Sequence, residues 1–170
     1  MIPIWNITLY QNPNIPLAGR LVAEGDSLTN GYPDQTPWPT IFAANNPGVT
    51  VFNVSVGGES MANILDQGSE VDPKFNGINS NIIVLWAGTN DMTDSGFSAA
   101  DTHSFMQTWC NARKAAHPAW IIVVLNCVAR SGLNESTRLS FNSLLNDNHA
   151  FCDILIDASA IVETWTTKPT

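Results

Sequence analysis

Residues 20–31 read RLVAEGDSLTNG, an apolar run followed directly by a polar loop bounded by glycines. The run Arg20–Glu24 has the length of a strand and is apolar on consecutive positions, which is typical of a strand buried on both faces of a parallel sheet. The loop Gly25–Gly31 places the hydroxyl of Ser27 immediately after this strand, where the chain turns toward a helix. The rest of the chain repeats this order of strand, small polar loop and helix.

Four more apolar runs of strand length follow, and helix candidates separate them. The runs are 49–56, 81–87, 120–126 and 153–156, and the helix candidates are 40–45, 60–67, 98–116 and 134–148. Asn134 is suited to cap the last helix, since its side chain can accept from the first helical N–H groups. Strands alternating with helices predict an α/β fold, a three-layer α/β/α sandwich around a five-stranded parallel sheet with right-handed crossovers.

The first eighteen residues do not fit this alternation. Their isoleucines suggest an extended segment, and the turn-prone QNPNIP follows. We therefore divide the chain into residues 1–18, an extra edge strand or an N-terminal extension or linker, and a domain over residues 19–170. No signal peptide is visible in the sequence, and this division leaves room for a neighbouring domain at either end.

The composition argues against several classes of partner. The 170 residues include 7 Lys+Arg against 15 Asp+Glu, a net charge of −8, and the cations are scattered. A basic stripe that could follow phosphates is missing, so neither nucleic acid nor an anionic membrane surface is an expected partner. No apolar run approaches the ~20 residues that span a bilayer. The three cysteines form no CxxC motif and are expected to be buried thiols, and no His/Cys cluster has metal-ligand spacing.

Small polar residues or glycines end three of the five predicted strands. Ser27 follows the first strand, Gly58 the second and Asn90 the third. Because ligands of such folds bind beyond the carboxyl ends of the strands, we expect these three residues to lie together. Backbone N–H groups at Ser27 and Gly58 and the side-chain amide of Asn90 could then converge on one oxyanion, as acyl transfer requires.

Each of these motifs also has an ordinary structural interpretation. Gly-Asp-Ser is a common turn, and Asn90 or Asp91 could cap a helix. Their joint occurrence directly after apolar strands favours a shared site, in which Asp26 and Asp91 are expected to hold the loops by capping bonds. Trp38, between two prolines, is expected either to anchor its loop or to stand at the mouth of the site and stack on a sugar ring or an acyl chain.

Three sequence blocks carry a resemblance to the SGNH/GDSL family of hydrolases. The blocks are Gly25–Gly31, Asn53–Ser60 and Gly88–Asp91. The resemblance runs from about residue 19 to residue 159 and implies a flavodoxin-like sandwich that needs no metal or organic cofactor. It implies that Ser27 is the nucleophile and that Gly58 and Asn90 are oxyanion donors. The implied activity is ester hydrolysis.

The family's fourth block, Asp-x-x-His after the fifth strand, has no counterpart. Ala160 stands where a histidine would follow Asp157, and no histidine lies beyond residue 149. Two of the three histidines are expected at helix ends away from the site, and only His103 is a candidate stand-in for the general base. We therefore expect the domain to lack its last helix here and to continue, with an Asp-x-x-His, beyond this sequence.

Together these patterns predict a serine esterase that hydrolyses a small or carbohydrate-borne acyl ester, acetylesterase-like, through an acyl-enzyme. Its partner would be a small-molecule or carbohydrate ester. One alternative is an SGNH-like glycan-binding module with impaired catalysis, which the missing fourth block favours. Another is a flavodoxin-like nucleotide or flavin binder that uses Gly25–Gly31 as a phosphate loop, and the charge of Asp26 counts against it.

Overall fold

The computed structural model describes residues 18–31 and 35–158, and these contain the predicted five-stranded parallel sheet. Every neighbouring pair of strands is parallel, and the order in the sheet is β2-β1-β3-β4-β5. Most of the predicted N-terminal extension and the chain from residue 159 onward lie outside the described residues. The strands are β1 (Gly19–Gly25), β2 (Val49–Asn53), β3 (Ser80–Trp86), β4 (Trp120–Leu125) and β5 (Ile154–Ile156).

Helices cover both faces of the sheet, as the predicted three-layer sandwich requires. They are α1 (Ser27–Asn30), α2 (Trp38–Asn45), α3 (Met61–Ile64), α4 (Gly68–Val71), α5 (Thr89–Thr93), α6 (Ala99–Ala116) and α7 (Glu135–Asp147), with a 3-10 turn at Asp72–Lys74.

The alternation of strand side chains divides the apolar core between the two faces. Val22, Ile83 and Val124 are fully buried on the face covered by α3 to α7, where they share a cluster with Trp109 and Phe141. On the other face, smaller clusters enclose strand side chains against helices α1 and α2. Continuous apolar strands are needed for this arrangement, because each strand must bury side chains in both directions.

The predicted boundaries hold for the long elements and fail for the short ones. The predicted helix 60–67 ends early, at Ile64, and α1, α4 and α5 were not predicted at all. Helices of four or five residues have too few positions to show apolar periodicity, and capping contacts determine them instead. Strand β2 ends at Asn53, whereas the predicted strand extended to residue 56. The N–H groups of Val54 and Val56 still donate to β1 carbonyls, at 3.0 and 3.1 Å, so the backbone remains paired with β1 as far as residue 56.

The strand order makes the chain diverge between β1 and β3. The chain leaves β1 toward α1 and α2 on one face and leaves β3 toward α5 and α6 on the other. In open α/β sheets this divergence is the topological switch point, where the carboxyl ends of the strands form a binding crevice. The loops after β1 and β3 are the ones that carry Ser27 and Asn90.

Two further findings concern the cysteines and the hydropathy of the helices. Cys110, Cys127 and Cys152 are free thiols and all are buried, as predicted, and burial raises the pKa of each thiol. Among the helices within the described ranges, none combines the length and the apolar character needed to cross a membrane.

Candidate active site

Just before Ser27, the backbones of β1 and β3 approach each other unusually closely. Gly25 has φ +149°, and a Cβ at this position would lie 2.1 Å from the carbonyl oxygen of Trp86 on β3, so only glycine fits. Asp26 then caps α1, because its Oδ1 accepts from the N–H of Leu28 at 2.8 Å. Ser27 is the first residue of α1 and is partly exposed. A first helical N–H has no acceptor within its own helix and is available to a ligand.

The turn after β2 lies directly against this serine. The side-chain oxygen of Asn53 accepts from the N–H of Ser55 at 3.2 Å and stabilises the start of the turn. A Cβ placed on Gly57 would be 3.9 Å from the Cβ of Ser27. Gly58 is exposed with φ +86°, and a Cβ there would meet nothing within 4 Å. Glycine is therefore required at position 58 because the backbone is left-handed, and not because a side chain would lack space.

Asn90 lies in the first turn of α5, and its amide is fixed at both ends. Only 3% of the residue is exposed. Its Nδ2 donates to the carbonyl of Glu59 at 2.7 Å, and its Oδ1 accepts from Nη1 of Arg130 at 2.9 Å. A carbonyl only accepts and a guanidinium only donates, so these partners permit a single orientation of the amide. The amide NH₂ faces the turn that contains Gly58, with one N–H beyond the bond to Glu59.

Two carboxylates tie the loops of the site together. Asp26 Oδ2 accepts from the hydroxyl of Thr89 at 2.9 Å and so joins the loop after β1 to the loop after β3. Asp91 accepts from the first two N–H groups of α3, those of Met61 at 2.7 Å and Ala62 at 3.3 Å. Both carboxylates hold the loops as predicted, but Asp91 does not cap its own helix α5, whose N-cap is Gly88 without a side-chain bond; it accepts instead from the start of α3.

The structure thus brings the three predicted site residues to one place. Gly58 lies between Gly57, which is beside Ser27, and Glu59, which is bonded to Asn90. One hydroxyl and two kinds of N–H donor along adjacent loops are the groups needed to attack a carbonyl and to stabilise the resulting oxyanion.

Burial dominates the electrostatics beneath the site. Burial raises the pKa of Asp26 to about 6, against the lowering effects of its hydrogen bonds to Leu28 and Thr89 and of the Arg130 charge. Burial also raises the pKa of Glu24 to about 8; this side chain is fully buried, and its Oε1 accepts from the N–H of Gly25. The loop Gly25–Gly31 therefore follows a carboxyl group that is largely neutral at pH 7.

A comparison with known protein families assigns the chain to one of them. The model of the GDSL-like Lipase/Acylhydrolase family matches residues 23–158, which include all three loops of the site. The chain belongs to this family. It is a serine ester hydrolase, as the three sequence blocks predicted. Among curated proteins, none matches this GDSL-like hydrolase significantly in sequence.

Solved structures of similar proteins confirm the fold. AlinE4, described as an SGNH-hydrolase family esterase, is 18% identical with a TM-score of 0.61, over 90% of this chain and 87% of that one. A lipolytic G-D-S-L family protein from Veillonella parvula is 19% identical with a TM-score of 0.66, over 82% and 78%. The psychrotrophic esterase EstA from Pseudoalteromonas sp. is 15% identical with a TM-score of 0.60, over 81% and 75%.

The histidines of this GDSL-like hydrolase bond to groups outside the site. His103 directs Nε2 at the carbonyl of Asn148, 3.0 Å away, so its ring nitrogen faces the end of α7. His117 ends α6 and stacks on Phe75, and His149 bonds to the last carbonyls of α7. In the hydrogen bonds described for residues 18–31 and 35–158, no histidine ring joins Ser27, Gly58 or Asn90.

Some features of the site were not predicted from the sequence. Arg130, which bonds to both Thr89 and Asn90, follows β4 at the active edge, and a rare cation in such a loop is the signal that could have indicated it. Trp38 is half-buried and packs against apolar clusters of the sheet, which favours the expected anchoring role. In the part of the chain that the structure describes, no group of three or more His, Cys, Asp or Glu side chains could hold a metal ion.

Proposed function

We propose that this hydrolase cleaves small or carbohydrate-borne acyl esters, with acetyl as the preferred acyl group, through an acyl-enzyme on Ser27. The observation that carries the proposal is the fixed amide of Asn90. Its NH₂ faces the turn that holds Gly58, and Ser27 packs against the same turn. Donors held in advance around the position of a developing negative charge stabilise the transition state of acyl transfer.

The proposed reaction has two steps, which are acylation of Ser27 and hydrolysis of the acyl-enzyme. Ser27 Oγ bonds to the ester carbonyl carbon while its proton passes to a general base, for which the family resemblance implies a histidine. The N–H groups of Ser27 and Gly58 and the amide of Asn90 hold the oxyanion. The bond to the alcohol oxygen breaks as that oxygen takes the proton, and water then cleaves the acyl–serine bond by the same path.

Two features favour a short acyl group and a sugar alcohol. The Gly57 backbone lies close enough to Ser27 that a Cβ there would be 3.9 Å from the serine Cβ. Trp38 follows the loop of Ser27 and, like Leu28, packs against an apolar cluster of the sheet; it is only partly buried, so it can anchor its loop and still keep part of its ring exposed. An aromatic face near a site can stack on a sugar ring.

The test is labelling with a fluorophosphonate combined with turnover of nitrophenyl esters of increasing acyl length. We expect Ser27 to be labelled, and kcat/KM to be highest for the acetate and to fall with chain length. Ser27→Ala should abolish labelling and burst acylation without affecting folding, whereas Ser95→Ala, at an exposed serine, should change neither. Turnover retained in Ser27→Ala would refute the mechanism. Glycan binding by an unlabelled wild type would favour the non-catalytic alternative.

A further inference from the structure

We propose that Arg130 is a positioning residue of the oxyanion hole, which fixes the amide of Asn90 and strengthens its N–H as a donor. The inference rests on the proposed function, because it concerns the residue that orients a donor and not the donor itself. Arg130 lies in the loop after β4, so a fourth strand end would contribute to a site otherwise built from three.

The orientation of Asn90 depends on Arg130. Rotating the amide by 180° would direct its carbonyl oxygen at the developing oxyanion, where two oxygens would repel each other. The bond from Arg130 Nη1 to Oδ1, at 2.9 Å, opposes this rotation because the rotated NH₂ would face a cation that only donates. The bond to the Glu59 carbonyl opposes it from the other side.

The same guanidinium nitrogen also fixes the direction of a second hydrogen bond. Arg130 Nη1 lies 3.1 Å from the hydroxyl oxygen of Thr89, which must accept. The Thr89 proton is then directed at Asp26 Oδ2, 2.9 Å away. A continuous chain of donors and acceptors therefore runs from Arg130 through Thr89 to the residue that caps the helix of Ser27.

The charge of Arg130 has an effect beyond geometry. A hydrogen bond from a cation to the amide oxygen withdraws electron density from the amide nitrogen, so the remaining N–H becomes a stronger donor. Among the described cations, Arg130 is the one that bonds directly to the side chain of Asn90. A neutral residue of similar length would keep much of the packing and lose this polarisation.

The first test compares two variants that remove the same charge from opposite edges of the sheet. Arg130→Gln is expected to lower kcat by roughly 10- to 100-fold with KM nearly unchanged, which corresponds to the loss of a hydrogen bond to a charged group. Arg20→Gln is the control, since Arg20 bonds to the carbonyl of Lys74 at the start of β1 and should leave kcat unchanged. Equal kcat values in the two variants would overturn the proposal.

A double-mutant cycle shows whether Arg130 acts through Asn90. In an Asn90→Ala background, Arg130→Gln should cost much less than it does in the wild type, because the amide it positions is gone. Full additivity of the two losses would overturn the proposal, since a merely structural role for Arg130 would not depend on Asn90. Thermal unfolding of each variant confirms that the comparison is made between folded proteins.

A measurement independent of turnover separates this inference from the proposed function. The side-chain ¹⁵N–¹H₂ resonances of Asn90, assigned by their loss in Asn90→Ala, should shift in Arg130→Gln and stay in place in Arg20→Gln. Unshifted resonances in Arg130→Gln would overturn the positioning role. A wild type that neither turns over esters nor is labelled at Ser27 would overturn the proposed function, and the resonances would then decide alone whether Arg130 holds the amide.

Discussion

Asn90 is a buried side chain whose amide is held in one orientation by its protein partners. Its oxygen and one of its N–H groups bond to protein atoms at 2.9 and 2.7 Å, which fixes the amide before any substrate binds. In the proposed mechanism, the second N–H meets an oxyanion without any reorganisation of the site. Preorganisation of this kind is the largest single contribution in many acyl-transfer enzymes.

Removing this donor should therefore reduce the rate and leave binding intact. We expect Asn90→Ala to lower kcat by roughly 10²–10³ with little change in KM, because the lost bond forms mainly in the transition state. Asn111→Ala, at an exposed position of α6, is the control and should change neither constant. Steady-state kinetics with nitrophenyl acetate measure both. A change confined to KM would mean that Asn90 binds the substrate in its ground state.

Substitution of Gly58 tests the backbone component of the proposed oxyanion hole. With φ +86° and no neighbouring atom within 4 Å of where a Cβ would stand, alanine would be strained by about 1–2 kcal/mol but would not clash. If the turn relaxes to relieve this strain, the N–H of residue 58 moves, and kcat should fall. Gly96→Ala is a matched control, since Gly96 has φ +69° and is equally open. Both variants should lose similar stability in urea, and an equal loss of kcat in both would contradict a role for Gly58.

At the scale of elements, the short helices near the site depend on side chains from elsewhere in the chain. Helix α3 has only four residues, too few to be stable alone. Ser60 caps it locally, and Asp91, thirty residues further along, accepts from its first two N–H groups. The position of α3, and with it the turn at Gly58 and Glu59, is therefore coupled to the loop after β3.

Breaking this coupling should affect stability and activity together. We expect Asp91→Ala to destabilise the protein by about 1–3 kcal/mol, because two N–H groups lose their acceptor, and to lower kcat as the turn before α3 shifts. Asp101→Ala removes an exposed carboxylate from the capping box of α6 and is the control. It should cost a smaller amount of stability and leave kcat unchanged. An unaltered kcat in a destabilised Asp91→Ala would separate the two effects and contradict the coupling.

For the molecule as a whole, a buried acid determines how stability depends on pH. The pKa of Glu24 is raised to about 8 by burial, well above its ordinary value of 4.5. The folded state therefore holds a proton that the unfolded state releases, so this contribution is complete below pH 4.5 and is lost as the pH rises toward 8. Asp26, with a pKa raised to about 6, acts in the same direction at lower pH.

We expect the free energy of unfolding to fall between pH 6 and pH 8, by at most about 1.4 kcal/mol per pH unit from one such group. Glu24→Gln should remove most of this dependence while keeping an acceptor for the N–H of Gly25. Asp66→Asn, at an exposed position, is the control and should preserve the slope. Urea unfolding at several pH values measures it. A wild type that becomes more stable over this range would contradict the assignment.

The sequence was sufficient to predict the sheet and the three loops because both depend on local patterns. The five strands are continuous apolar runs, and Ser27, Gly58 and Asn90 each follow one of them, so the topology of a parallel sheet brings them together. The contribution of Arg130 could not be predicted in this way, since its bonds to Thr89 and Asn90 span about forty residues and depend on how the loop after β4 folds. The helix 60–67 was predicted too long, because after Ile64 the chain passes into a turn in which the N–H of Gln67 donates to the carbonyl of Ile64, and apolar spacing does not distinguish such a turn from a helix.

All the site groups leave the sheet at its carboxyl edge, and this makes the opposite edge usable as an attachment point. Ile78, in the loop that enters β3 at that opposite edge, is 82% exposed. The three native cysteines are buried, so the thiol of an Ile78→Cys variant would react with a maleimide surface far faster than they would. Enzyme immobilised through this residue would present the Ser27 crevice away from the support, and every molecule would be oriented alike.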